Sequence, residues 1–542
     1  MWPRNEQTRF PSHGWRGIVA GTISYAQASM PTLTKRILHY AVYALAAVVI
    51  AVSGVALYLR VVIMPNADRY KSDIETLAAG VVGRPLRIGH IESDWWGLNP
   101  RFSLRDVQLV SATGAQAPLS LARVDATLSW LSLLDWDLRL VNLALYDARV
   151  DIRRDPDGII YVADIPVNAP GPSSPFPDWL LRQRHIIASD AMLTWRDALT
   201  GAPPLALQRV NLILRNRGTR HQLGLTARPP AEALQTLDVR ADLRGARVGD
   251  PAGWQGTLYA RADAVSAEAL QRWAPWTQEQ VRQGHGDLRL WLDLRQGQVA
   301  GLTSDVRLRD VALSFASDHP DMRFRELSGR LGWSRNRDLH TVLAQGLAFT
   351  TENGERIAPT SVSSQVRISP EGALTLTAAR AEHLHVEALV ALSAAIPMPR
   401  PLHDWLAVHR PRGYIENAEL QWQRADAYRL TARFRDAGMQ ADGKMPGFAG
   451  LAGHIVATGS GGEAHFDSAG FDLQLDQVFR QPLHLDRLVT DLAWERPAQG
   501  GLSLRIGETV LANADLDATA QGTLVLRPGQ APLADIQAHL TR

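Results

Sequence analysis

A chain of 542 residues can bury several cores or build one extended repetitive structure. Its 57 basic residues nearly balance 55 acidic ones, leaving a formal charge of +2, so a nucleic-acid channel is not indicated. Cysteine is absent, which excludes disulfides, thiolate zinc sites, iron–sulfur clusters and thiol nucleophiles.

The first element is "KRILHYAVYALAAVVIAVSGVALYLRVVIMP", with about 23 nearly uninterrupted apolar residues between Arg36 and Arg60, enough to span a bilayer as a helix. Arg4, Arg9, Arg16, Lys35 and Arg36 precede it, and this basic flank places residues 1–36 in the cytoplasm. A cleaved signal peptide would have a shorter apolar core and a small-residue cleavage site, so an uncleaved anchor over 37–64 is expected. Next comes "NADRYKSDIETLAAGVVGRP", in which Tyr70, Ile74, Leu77 and Val81 form one helical stripe. This predicts a short amphipathic capping helix within 65–85, with Asp68 as N-cap and Gly83 just past its end.

From Leu86 onward the dominant period is two. Leu237, Val239 and Leu243 alternate with charged neighbours, as do Leu288, Leu290, Leu292 and Leu294 in "DLRLWLDLR". The same holds for Leu430 and Phe434; for Phe471, Leu473 and Leu475; and for Leu502, Leu504 and Ile506. Asp157-Gly158, Asn353-Gly354 and Glu371-Gly372 mark turns. Roughly 25 to 30 strands are expected, with further helices only near 178–186, 266–283 and 402–408. That scarcity of helices excludes a parallel α/β fold. The one proline-rich break is 165–178. The predicted fold is mainly β: one N-terminal transmembrane helix, then over 86–542 an elongated, curled, largely antiparallel β-sheet trough with a few short capping helices. At about 4.8 Å per strand, such a sheet would extend on the order of 120 Å.

The basic-flanked anchor, the helix ending "GVVGRPLRIGHIES", the block "WWGLNPRFSLRDVQL" and "DLRLVNLALYDARVDIRRDPDG" together resemble the AsmA-like superfamily of Gram-negative envelope proteins, most closely the N-terminal half of the YhdP family. "RWAPWTQEQVRQGHGDLRLWLDLRQGQVAGL" and "EHLHVEALVALSAAIPMPRPLHDWLAVHRPRGYIENAELQW" follow in the family's order. The resemblance implies a single-pass inner-membrane protein with the bulk of its chain in the periplasm, related in shape to TamB and to bridge-like lipid transfer proteins. It also implies movement of phospholipid between inner and outer membrane, hence outer-membrane lipid homeostasis, with possible envelope partners at the distal end. Members of that family are much longer, so this chain is expected either to be a portion of one or not to reach a second membrane alone.

Catalytic and metal signals are weak. His383 and His385 would share a strand face, yet nothing in the sequence completes a metal site, and they are expected to be structural. "ATGSGGEAHF" lacks the lysine of a phosphate loop and reads as a hairpin turn. Trp95 and Trp96 could form a sugar platform beside Glu92 and Asp94, but alternate residues on one strand do not make a facing carboxylate pair. No catalytic residue, metal or cofactor is assigned, and no enzyme activity is expected. The alternating aliphatics named above are the candidate lipid-facing residues. Trp95 and Trp96 are placed at the membrane-proximal groove end, one sealing it beneath the helix and its neighbour meeting lipid or the interface. Trp291, opposite Leu290, is expected to receive the helix carrying Trp273 and Trp276 on the outer face. The competing expectation is a scaffolding envelope protein whose sheet only packs and binds other proteins.

Overall fold

The computed structural model describes residues 32–110, 119–130, 132, 138–168, 175–274, 280–424, 426–442, 445–475, 480–497 and 500–541. The chain divides after Asn66 into two compact units.

In the first unit a helix runs from Thr32 to Tyr58 and continues through a wider turn, Leu59–Ile63. Its apolar side chains are exposed all round, with Ile37 at 60%, Leu45 at 65% and Ile50 at 71%. This helix is long and apolar enough to cross a membrane.

The second unit is one 27-stranded sheet. Helix Lys71–Val82 opens it and stops at Gly83, whose φ of 76° gives the left-handed cap that glycine adopts without a Cβ clash. The expected cap residue does something else. Asp68 accepts a hydrogen bond from the Ile91 N–H at 3.1 Å, and Tyr70 precedes the helix with no side-chain cap. Glu75 accepts from the Ile88 N–H at 2.7 Å, so two carboxylates tie this helical segment to the first strands.

Hairpin follows hairpin in antiparallel register from His90–Trp96 and Asn99–Leu109 to Asp517–Leu526 and Leu533–Leu540. The exception is the strand His185–Asp197, which lies parallel to Leu140–Tyr146 and Arg149–Arg154. That crossover contains the proline-rich break: Ile165–Pro166 pairs with Tyr161–Val162, residues 169–174 lie outside the described residues, and helix Phe176–Arg182 leads back. Gly354 (φ 89°) and Gly372 (φ 83°) sit in the turns their sequences predicted.

Helices 178–186 and 402–408 are found as Phe176–Arg182 and Arg400–His409. The 266–283 expectation is corrected. Among the described residues of that range only Ala267–Leu270 is helical, residues 275–279 lie outside them, and Val281–Arg295 is strand, because its period-two pattern extends back to pair with Gln298–Leu313. A further helix, Val386–Ser393, was not predicted.

Within the strands, single residues adopt left-handed backbone: Asp106, Asp190, Arg209, Asp310, Asn417 and Asp436 with φ between 48° and 54°, and Gly346, Gly450 and Gly470. Several coincide with register shifts, as at Glu416/Glu419 and Phe434/Ala437. These are β-bulges, which insert one residue and raise the local twist. Asp, Asn and Gly recur because they tolerate this conformation best.

Candidate functional site

Residues directly opposite in a ladder share a face, so register traces each face across the sheet. One line of partners runs Phe102, Ala126, Leu143, Ile186, Leu214, Leu223. It continues Ala241, Leu258, Leu292, Leu302, Trp333, Val342, Ser364, Ala379, Leu420. It ends Leu430, Ala457, Gly462, Trp494, Leu504, Leu524, Ala534. A single hydroxyl, Ser364, interrupts an otherwise apolar row from the first strands to the last.

The adjacent row on the other face is polar for most of its length. It reads Arg240, Tyr259, Trp291, Thr303, and later Arg380, Glu419, Thr431. Ion pairs stitch that face together. Arg330 bonds Asp305 at 2.6 Å, Arg261 bonds Asp263 at 2.8 Å and Arg380 bonds Glu419 at 2.8 Å. Hydrogen bonds from Arg220 and Gln222 lower the Asp242 pKa to about 2, and the Arg330 hydrogen bond holds Asp305 below the usual carboxylate range.

Leu237, Val239 and Leu243 lie on the apolar face, as do Leu288, Leu290, Leu292 and Leu294. So do Leu430 and Phe434, and Leu502, Leu504 and Ile506. Phe471 and Leu473 pack with Leu485 and Leu488 in one cluster, while Leu475 follows the strand half-buried.

Cover over this face is uneven. At the N-terminal end, Ile74 and Val81 of helix Lys71–Val82, with Trp179 and Leu180 of helix Phe176–Arg182, complete a core around Ile91, Val124, Leu143 and Ile186. Beyond it, three smaller clusters lie toward the strand ends that carry the bulges. Ala388, Leu392 and Ala395 cover Val311, Phe324 and Phe349. Ala269, Leu270 and Trp273 pack with Leu237, Ala262 and Leu288. Trp273 therefore covers the apolar face, which corrects the outer-face expectation, since its partners Ala262 and Leu288 share the side of Leu290. Trp291 is indeed opposite, with Tyr259 at 5.3 Å between ring centroids and the Arg330 guanidinium 5.6 Å from its ring. Toward the opposite strand ends no helix covers this face among the described residues, and Leu331 is 38% and Val342 47% exposed.

Trp95 and Trp96 point to opposite faces of the first hairpin. Trp95 is half-buried on the side of Ile91, its ring 6.4 Å from that of Trp130. Trp130 also donates from Nε1 to the Leu98 carbonyl at 3.1 Å, clasping the turn. Trp96 is 53% exposed on the side of Glu92 and Asp94, whose carboxylates are held by Arg105 and Arg101.

His383 pairs with Glu416 in the ladder, while His385 stacks on Tyr414 at 5.0 Å and approaches Glu355 at 3.2 Å. Among the described residues no group of three or more His, Asp or Glu could hold a metal. "ATGSGGEAHF" forms the hairpin between Gly447–Thr458 and Gly461–Gln474.

Fold and surface together define a β protein with an N-terminal helix long and apolar enough to cross a membrane and one long sheet that is apolar on one face and charged on the other. The chain belongs to the YhdP family, whose family model, described as YhdP protein, matches residues 30–542. No curated protein and no solved structure matches it.

Proposed function

We propose that this protein is an inner-membrane-anchored conduit in which the apolar face carries phospholipid acyl chains through the periplasm toward the outer membrane, without a catalytic centre or cofactor. The observation that carries this reading is the apolar row from Phe102 to Ala534, half-exposed at Val342, with Leu331 on the same face also exposed, where a packed second layer would bury both. Each methylene laid on such a surface gains about 0.8 kcal/mol, so one long acyl chain supplies several kcal/mol of affinity. Charged groups on the other face keep that side in water. A passive surface moves lipid only down a gradient, so net flux needs a sink or a partner. Leu237, Val239, Leu243, Leu288, Leu290, Leu292, Leu294, Leu430, Phe434, Phe471, Leu473, Leu475, Leu502, Leu504 and Ile506 are the proposed lipid contacts. A photo-crosslinking residue at Leu290 should capture lipid in cells and one at Arg289 should not. Capture at neither, or equally at both, refutes the conduit and favours a scaffold.

A further inference from the structure

The first hairpin of the sheet ends in an apolar tip. Trp96 pairs with Asn99, so Gly97 and Leu98 make a two-residue turn in which only Gly97 is left-handed, at φ 60°. Such turns ordinarily carry glycine or small polar residues. Leu98 is instead 84% exposed, more than any other large apolar side chain among the described residues, those of helix Thr32–Tyr58 included. Aromatic rings flank it on both faces. Trp96 lies half-exposed on one side, and Trp95 with Trp130 on the other. The hydrogen bond from Trp130 to the Leu98 carbonyl fixes the backbone of the apex and leaves its side chain bare. Both carboxylates of the strand leading to the turn are engaged, Asp94 by Arg101 and Glu92 by Arg105.

An aliphatic apex collared by tryptophan matches a bilayer surface, where hydrocarbon gives way to the headgroup level that tryptophan favours. Place in the chain selects a bilayer over a protein partner. His90–Trp96 is hydrogen-bonded on one side only, to Asn99–Leu109, so the sheet starts at this edge. Asp68, two residues past the end of the first unit, accepts from the Ile91 N–H of that strand. Leu98 lies seven residues further along the same hairpin, about 24 Å of extended strand from that tie. Leu374, also exposed at a turn, lies many strands away. We infer that the Trp96–Leu98 tip docks into the membrane that holds the anchor, with Leu98 among the outer acyl carbons and Trp96 at the headgroup level. This rests on the membrane anchoring proposed above and stands whether or not lipid travels along the apolar face. It sets Phe102, where the apolar row begins, four residues from the inserted apex.

The chain has no cysteine, so one introduced thiol carries a fluorophore to a single position. The purified full chain is placed in nanodiscs of phosphatidylethanolamine and phosphatidylglycerol, with and without bromine on the acyl chains. A nitrobenzoxadiazole label at Asn99→Cys, beside the tip, should be quenched by the brominated lipid and shielded from aqueous iodide. The same label at Leu374→Cys, where the native side chain is 71% exposed, should show the reverse. Adding Leu98→Asp to Asn99→Cys should shift the ratio of docked to free tip about thirtyfold toward free, the factor that burying one leucine supplies. That variant keeps Gly97 and the backbone carbonyl that Trp130 holds, and an unchanged melting temperature checks its fold. Equal quenching by brominated lipid at both labels, equal access of iodide to both, or a ratio unmoved by Leu98→Asp overturns the docking. Shielding from iodide without quenching by brominated lipid also overturns it, and marks the tip as a protein contact. A chain that fails to enter the nanodiscs overturns the anchoring and the docking with it, whereas the other outcomes leave the anchoring intact, so the two failures are distinguishable.

Discussion

Val342→Glu separates a lipid-bearing face from a packed one. Val342 lies in the middle of the apolar row between Trp333 and Ser364 and is 47% exposed, so its substitution forfeits about half of a valine's burial, about 1 kcal/mol of stability. Acyl chains crossing the same position would meet a carboxylate, which costs about 3 kcal/mol in a hydrocarbon environment. At 1.36 kcal/mol per decade, lipid occupancy there should fall about a hundredfold while the fold persists. Gln345→Glu is the matched control: it adds the same charge on the opposite face, opposite Arg330 in the ladder. Phospholipid co-purifying per chain and thermal unfolding in the same detergent read the two effects. Wild-type lipid content in Val342→Glu with an unchanged melting temperature refutes the reasoning. A loss of more than about 3 kcal/mol in stability would instead mark Val342 as part of a packed core, as the scaffold reading requires.

Asp197→Ala should cost about 3 to 5 kcal/mol in chemical denaturation, because Asp197 is buried and its carboxylate holds Arg154 and accepts the Leu199 N–H at 3.1 Å. Asp242, depressed to about 2, contributes stability that is fully present above its ordinary value of 3.8 and is lost as pH falls through 2. Its side chain is 38% exposed, so solvent screening keeps the contribution under about 1 kcal/mol, and Asp242→Asn should flatten the acid limb of a pH–stability curve by that amount. His484 has its pKa raised by the Asp472 hydrogen bond at 2.7 Å, so its contribution is present below 6.5 and is lost as pH rises through the raised value. His484→Gln should abolish that alkaline slope, measured by amide exchange in the strand Leu483–Glu495. Trp130→Ala should open the turn at Gly97–Leu98, raising amide exchange across Trp95 and Phe102 by about tenfold, the equivalent of one hydrogen bond and its packing.

Faces were legible in the sequence where the period-two pattern is unbroken. Leu288 to Leu294 alternate with Arg289, Trp291 and Asp293, and the pleat admits only one assignment of those side chains. The long apolar N-terminal helix was equally legible, because length and hydropathy alone mark it. Alternation fails at the bulges. Val311 and Ala312 are consecutive and both buried, at 2% and 3%, because left-handed Asp310 breaks the phase just before them. By simple alternation Asp310 would fall on the apolar face with Val306 and Leu308, and Val311 on the other.

Covering elements were harder to read for a related reason. Trp273 reads in sequence as a helical residue able to pack on either face, and only the pairing of Ala262 with Leu288 decides which. The strands carrying Ala264, Asp310, Asn417 and Asp436 bring those bulges to the ends that the short helices cover, while the turn ends keep Trp333 and Trp422. A left-handed bulge such as Asp310 shifts the phase locally, so a strand can send two successive residues into the covered cluster while the aliphatics before the bulge stay on the apolar face. The uneven cover of the apolar face thus follows from where single left-handed residues fall in each strand.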